Sequence, residues 1–239
     1  VNGTIKITKS AKLGSSKILK NLDLIFSNDQ KIFLKKVEKS LNLNKVSELF
    51  DQIKNLKVLV VGELIIDQYV LCEPLGKSGK EAFLTFKKNK EVKFLGGSGF
   101  IANQISNFVK KIDLVTVLGD LKSEKKFVRN KLNKNITIKS FVKKNSPTIT
   151  KARFVDDVDY KKIIGVYEIN DKKINKELEN KLCKFIETNK NKYDLILVSD
   201  FGHGMITEKL AKSLCRTKKF LSVNAQINSS NRGERNLTK

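Results

Sequence analysis

Four short, almost uninterrupted apolar runs constrain this chain most: residues 58–61 (VLVV), 114–118 (LVTVL), 195–198 (LILV) and 221–223 (LSV). Runs of this kind fit parallel strands covered on both faces, because neither side of such a strand meets water. Stretches with helical spacing lie between them, at about 98–110, 122–132, 174–189 and 206–217. Strand, helix and strand in alternation predict βαβ units in a doubly wound, mostly parallel α/β sheet flanked by helices. Residues 148–155 and 163–168 flank the turn-like Asp156-Asp157-Val158-Asp159 and read as an antiparallel hairpin, a small β lid over a ligand.

Residues 31–56 carry Leu34, Val37 and Leu41, then Val46, Leu49, Phe50 and Ile53, at amphipathic three-and-four spacing. They read as a helical linker. The chain starts at Val1 rather than Met and stops at Lys239 without a closing element, so both ends read as cuts in a longer frame.

The formal charge of +23 raises nucleic-acid binding, since clustered cations gain affinity by releasing phosphate counterions. Five of the 48 basic residues are arginine, and the lysines are scattered among Asn and Ile, residues that share AT-rich codons. Compositional bias accounts for the charge, and no specific nucleic-acid partner is expected. No apolar stretch reaches the roughly 18 to 20 residues of a membrane span, so no membrane partner and a cytoplasmic location are expected. Cys72, Cys183 and Cys215 lack CxxC spacing, and no metal site is expected.

Several positions carry candidate chemistry. The run 58–61 leads into Gly62-Glu63-Leu64-Ile65-Ile66-Asp67, which would place Asp67 just past the C-terminal end of a parallel strand, where open α/β sheets bind ligands. A carboxylate there accepts hydrogen bonds from two neighbouring hydroxyls; a turn or helix-capping aspartate is the alternative. Leu95-Gly96-Gly97-Ser98-Gly99 follows a β-like run and opens a helix, so backbone N–H groups can approach a hydroxyl or phosphate. Gly76-Lys77-Ser78-Gly79-Lys80 is not a P-loop, because Leu71 stands where the motif needs glycine. Ser199-Asp200-Phe201-Gly202-His203-Gly204 follows the third apolar run, placing Asp200 at the same expected sheet edge as Asp67. It is no protein-kinase signature, and His203 between two glycines reads as structural.

In this order the motifs resemble the ribokinase-like (PfkB-type) carbohydrate kinases, and among them the heptose-phosphate kinase domain of bifunctional ADP-heptose synthase-type proteins. The resemblance rests on 58–62 with Asp67, 76–81, Leu95-Gly96-Gly97, 114–120, Pro147-Thr148 with Lys151-Ala152-Arg153, and 198–204, and covers about residues 57–239. It implies a ribokinase-like fold with its C-terminal part missing, and ATP with Mg2+ in the intact enzyme. Asp67, Gly96, Gly97, Asn103, Lys151, Arg153 and Asp200 would hold a sugar phosphate. Lys151 and Arg153 are two residues apart on a strand, so both side chains face one way and could meet one phosphate. A homodimer through the lid is also allowed.

Departures accompany the matches. Phe100 stands where the family places a sugar-binding asparagine, with Asn103 one turn later. Asn224 and Gln226, the expected cofactor-binding positions, replace an Asp and a Lys near the nucleotide phosphates. The GAGD segment with the catalytic base is expected beyond Lys239, so no catalytic residue is expected within the chain. Ile5-Lys6-Ile7 with Gly14-Ser15-Ser16-Lys17-Ile18 is similar to the tail of a nucleotidyltransferase domain. The implied organisation is 1–28 for that tail, 29–56 for the linker and 57–239 for the sugar-binding portion of the kinase. The alternative is a degenerate, non-catalytic sugar-binding or assembly module.

Overall fold

Two strips of sequence with different patterning build two different sheets in the computed structural model, which describes residues 26–40, 42–122 and 124–226. The segments similar to a nucleotidyltransferase tail, at 5–7 and 14–18, lie outside the described residues.

The chain divides into a unit of residues 1–51 and one of residues 52–239. In the first, helix α1 (Asn28–Ser40) starts at a capping box: the Gln30 N–H donates to Ser27 Oγ at 3.3 Å, and the Ser27 N–H donates to Gln30 Oε1 at 2.8 Å. Helix α2 (Leu43–Lys54) is capped by Asn42, whose Oδ1 accepts from the Lys45 N–H at 2.8 Å.

In the second unit, β1 (Lys57–Gly62), β4 (Lys111–Gly119), β5 (Ile136–Lys143), β8 (Leu195–Asp200) and β9 (Phe220–Ala225) form a five-stranded sheet in the order β5-β4-β1-β8-β9. Every pairing in it is parallel. The continuous apolar run of β1 divides by face. Leu59 and Val61 pack with α5 (Lys176–Asn189) and α6 (Glu208–Cys215), through Leu182, Ile186, Leu210 and Leu214. Val58 and Val60 pack on the other face with Ala102 of α3 (Gly97–Ile105) and Val128 of α4 (Lys125–Lys131). Two cores on opposite faces are what the doubly wound expectation requires.

The second sheet corrects the expected two-stranded lid. It has four strands in the order β3-β2-β6-β7: β2 (Leu64–Lys77), β3 (Leu84–Gly96), β6 (Thr150–Asp156) and β7 (Lys162–Glu168). The expected hairpin is its β6–β7 half. β2 and β3 escaped notice because their sequences, LIIDQYVLCEPLGK and LTFKKNKEVKFLG, carry Pro, Gly and lysine runs that lower strand propensity. Their antiparallel pairing runs from Ile65↔Gly96 to Lys77↔Leu84, with bulges after Leu71 and Pro74.

Asp67 is therefore not beyond the end of a parallel strand beside Asp200. It lies within β2, opposite Phe94 and Lys151, while Asp200 is the last residue of β8 in the other sheet. Glu63 is the single residue between β1 and β2 and carries the chain from one sheet to the other. Among the described residues no helix is long and apolar enough to cross a membrane.

Leu114, fully buried in the core under α3 and α4, tests this packing. Leu114→Ala is expected to lower unfolding free energy in urea by about 2–5 kcal/mol. Phe220→Ala, at a ring 73% exposed, is expected to change it by less than about 0.5 kcal/mol. Equal effects would contradict a core on that face.

Candidate functional site

Glycine makes the site possible, because two groups approach closer than a side chain allows. A Cβ on Gly96 would lie 2.2 Å from Asp67 Oδ2, and one on Gly97 would lie 2.3 Å from the Glu63 carbonyl oxygen. Gly97 also adopts φ +56°, a left-handed conformation that glycine enters without strain. The strand β3 can thus turn into α3 directly beside the Asp67 carboxylate. The start of α3 has no side-chain cap; its Ser98 N–H donates to the Glu63 carbonyl at 2.9 Å.

Asp67 opens onto a cleft of about 850 Å³. Gly96, Gly97 and Asn103 line it, as do Asn224 and Gln226 from the end of β9. Tyr69, Phe94, Phe100 and Phe201 give it an aromatic wall, with Phe94 and Phe100 each 52% exposed. Asn224 and Gln226, expected near a nucleotide, share this cleft with Asp67.

Lys151 and Arg153 stand beside it on β6, on one face as their spacing implies: both cations lie over the Tyr167 ring, at 5.9 and 6.0 Å. Arg153 Nη1 donates to Asp67 Oδ1 at 2.5 Å and to the Lys151 carbonyl at 3.4 Å, and the guanidinium stacks 5.6 Å from Tyr69. Burial pulls Lys151 below the usual lysine range, against the opposing pull of the Asp67 charge. For Arg153 burial acts in the same direction, but the Asp67 hydrogen bond and charge outweigh it.

Asn103 borders the cleft with its amide already engaged. Its Nδ2 donates to the Lys131 carbonyl at 2.9 Å, and its Oδ1 accepts from the Asn133 N–H at 3.0 Å, tying α3 to the end of α4. Asp200 is buried rather than lining the cleft; its Oδ1 accepts from the Gly202 N–H at 2.8 Å, and the adjacent Phe201 reaches the cleft wall.

Glu63 was not singled out in the sequence, yet it organises the turn after β8. It is 2% exposed. Its Oε2 accepts from the Phe201 N–H at 2.8 Å, and its Oε1 accepts from the His203 and Met205 N–H groups at 3.2 Å each. Burial pushes its pKa up to about 7, and the Asp200 charge pushes the same way. The available signal was a charged residue inside the apolar run VLVVGELII. His203 is buried, with Nδ1 2.7 Å from Asp171 Oδ1, and burial holds it below the usual histidine range.

No family model matches the chain. The bifunctional protein HldE of Aliarcobacter butzleri is 30% identical over 165 residues, 67% of this chain and 34% of that protein. HldE of Helicobacter pylori strain J99 is 28% identical over 160 residues, 66% of this chain and 34% of that protein. This chain is a homologue of HldE. It spans about a third of the length of the HldE relatives it matches.

Solved structures agree on the fold of this HldE homologue. The tetrameric inhibited form of phosphofructokinase-2 from Escherichia coli superposes with a TM-score of 0.51 at 10% identity, over 71% of this chain and 55% of that one. A Thermotoga maritima protein described as a possible 1-phosphofructokinase gives 0.52 at 14% identity, over 70% and 53%. The fold is the ribokinase-like one that the sequence motifs implied. Among the described residues no group of three or more His, Cys, Asp and Glu side chains could hold a metal. Asn224 and Gln226 can hydrogen-bond a nucleotide but carry no charge to offset its phosphates.

Gly96→Ala is expected to displace the Asp67 carboxylate, disturb its pair with Arg153 and cost about 1–3 kcal/mol in urea unfolding. Gly79→Ala, where nothing lies within 4 Å of the added Cβ, should change stability by less than about 0.5 kcal/mol. A neutral Gly96→Ala would show that the close approach does not constrain Asp67.

Proposed function

We propose that this chain is the sugar-binding portion of a carbohydrate kinase within a bifunctional kinase and nucleotidyltransferase, and that its cleft takes a sugar phosphate of the heptose-phosphate kind. The observation that carries this reading is the Asp67–Arg153 pair beside the Gly96-Gly97 turn, at the mouth of a cleft of about 850 Å³. Asp67 accepts from sugar hydroxyls. Arg153 uses one terminal nitrogen on Asp67 and the Lys151 carbonyl, which leaves donors on its other nitrogens for a phosphate. Lys151 adds a second charge on the same face. The aromatic wall packs against the C–H faces of the sugar.

Residues 57–239 are the kinase portion in this reading, 29–56 a helical linker and 1–28 the end of the nucleotidyltransferase. ATP with Mg2+ would be the phosphoryl donor in the intact protein, with Asn224 and Gln226 offering hydrogen bonds on the nucleotide side. A cytoplasmic enzyme suits such substrates. The exposed edge strand β7, with Ile163, Ile164, Val166 and Tyr167, supports a homodimer through the lid.

A second reading, a sugar-binding module without catalysis, is favoured by Phe100 in the cleft and by the Asn103 amide engaged with Lys131 and Asn133. ATP turnover by a chain extended through the GAGD segment would exclude it.

Isothermal titration tests the leading reading. A heptose phosphate is expected to bind more tightly than the unphosphorylated heptose. Arg153→Met should reduce phosphosugar affinity by about 10- to 100-fold, the loss of a charge-assisted contact, and leave the affinity for the neutral sugar nearly unchanged. Absence of binding, or equal affinity for both sugars, would overturn it.

A further inference from the structure

His203 is the single histidine of the chain, and one of its ring nitrogens is accounted for. Nδ1 lies 2.7 Å from Asp171 Oδ1. A carboxylate oxygen accepts and does not donate, so the proton of this contact sits on Nδ1. Nε2, by contrast, is buried and has no hydrogen-bond partner among the described residues. The side chain is 2% exposed, so bulk water does not reach that nitrogen. A neutral imidazole protonated on Nδ1 presents a lone pair at Nε2, and leaving a buried acceptor unpaired is costly.

Polar groups converge near that lone pair. His203, Glu63, Lys143 and Asn170 all line a void of about 20 Å³, together with apolar neighbours such as Ile149 and Met205. About 10–15 Å³ suffices for one water, provided that polar partners face it. Each of the three neighbouring polar side chains has hydrogen-bonding capacity to spare. Lys143 Nζ carries three protons and donates two, to the carbonyls of Asn170 and Lys172. Asn170 Nδ2 carries two and donates one, to Ser146 Oγ at 2.8 Å. The Glu63 oxygens accept from the Phe201, His203 and Met205 N–H groups, which leaves one of the roughly four acceptor positions of a carboxylate.

We propose that this void is a binding site for a single water molecule, anchored by His203 as the neutral Nδ1–H tautomer. The water donates one proton to His203 Nε2 and the other to Glu63, and it accepts from Lys143 Nζ and Asn170 Nδ2. Donors and acceptors balance, because each side chain uses the capacity that its protein contacts leave over. Four hydrogen bonds lie within the range of two to about four usual for a buried water. A cation in the same place would meet the Lys143 ammonium, and an anion would meet the Glu63 carboxyl, so a neutral molecule is the occupant that suits both. Burial holds His203 below the usual histidine range, in keeping with a neutral ring.

Four segments meet at this water: Glu63 between β1 and β2, Lys143 at the end of β5, Asn170 in the strap between β7 and α5, and His203 in the turn after β8. Strap and turn are also joined directly, since the Ile174 N–H donates to the Gly204 carbonyl at 3.0 Å. The Gly202 N–H holds the turn from the other side, through Asp200 Oδ1. The water therefore does not carry the turn alone. It gives Nε2 a partner and sets the orientation of the ring that reaches Asp171. None of this depends on what the cleft binds.

A single histidine makes the tautomer readable in the full chain without any substitution. A nitrogen-15 long-range correlation spectrum at pH 7 is expected to show a protonated Nδ1 and an unprotonated Nε2. An imidazolium, or the Nε2–H tautomer, would overturn the proposal. A crystal structure at a resolution that shows ordered water tests the site itself. One water is expected in the void, within about 3.2 Å of His203 Nε2. A void without water density, or a water that makes no contact with Nε2, would overturn the proposal even if the tautomer is as expected.

Discussion

One residue, Glu63, fixes the relation between the two sheets and both chain segments that border the cleft. As the sole link between β1 and β2 it sets where the chain leaves the parallel sheet. Its carbonyl accepts from Ser98 at the start of α3, and its carboxyl accepts from the turn that follows β8. An unsatisfied buried N–H costs about 1–3 kcal/mol, so three of them pointing into an apolar junction would not be tolerated. A carboxyl meets all three, but burying it beside Asp200 has its own cost, visible in the upward shift of its pKa. The three backbone hydrogen bonds to its carboxyl offset that cost.

The cleft follows from this junction. With the Glu63 carbonyl fixed, Gly97 must pass within Cβ-contact distance of it, and Gly96 must pass beside Asp67. Neither approach leaves room for a larger residue. The two glycines thus bring the start of α3 against the Asp67 carboxylate, beside which stands a countercharge. Arg153 supplies it from the neighbouring strand, since the parallel register sets Tyr69 opposite Arg153 and Asp67 opposite Lys151. The cations on β6 therefore support Asp67 and stand beside the mouth of the cleft at the same time.

How much of this was legible depended on whether a residue's role is written locally. Four of the five parallel strands were legible from their apolar runs, and the 58–61 run maps onto both cores; β5 was not, because ITIKSFVK interleaves polar residues with apolar ones. The Gly96-Gly97 turn was legible because paired glycines before a helix have few other uses. The strands β2 and β3 were not, because a sheet with a solvated face and lysine-rich bulged strands lacks that apolar signature. That omission also misplaced Asp67, which was read as following β1 when it belongs to a second sheet. Asn103 shows the opposite limit: its sequence position fits a ligand contact, while its amide is engaged by Lys131 and Asn133, 28 and 30 residues away. Long-range hydrogen bonds of this kind leave no trace in spacing.

The charge of the chain gives the Asp67–Arg153 pair its significance. A formal excess of +23 attracts any anion, and at physiological salt that attraction is screened beyond about 8 Å. It can concentrate phosphorylated compounds near the surface but cannot distinguish among them. Discrimination requires cations whose positions are fixed before the ligand arrives. Most lysines among the described residues are exposed, on flexible stems. Arg153 is held by Asp67, by the Lys151 carbonyl and between two tyrosine rings, and Lys151 is held over one of those rings. In a molecule rich in mobile positive charge, rigidity rather than charge marks where a phosphate would be recognised.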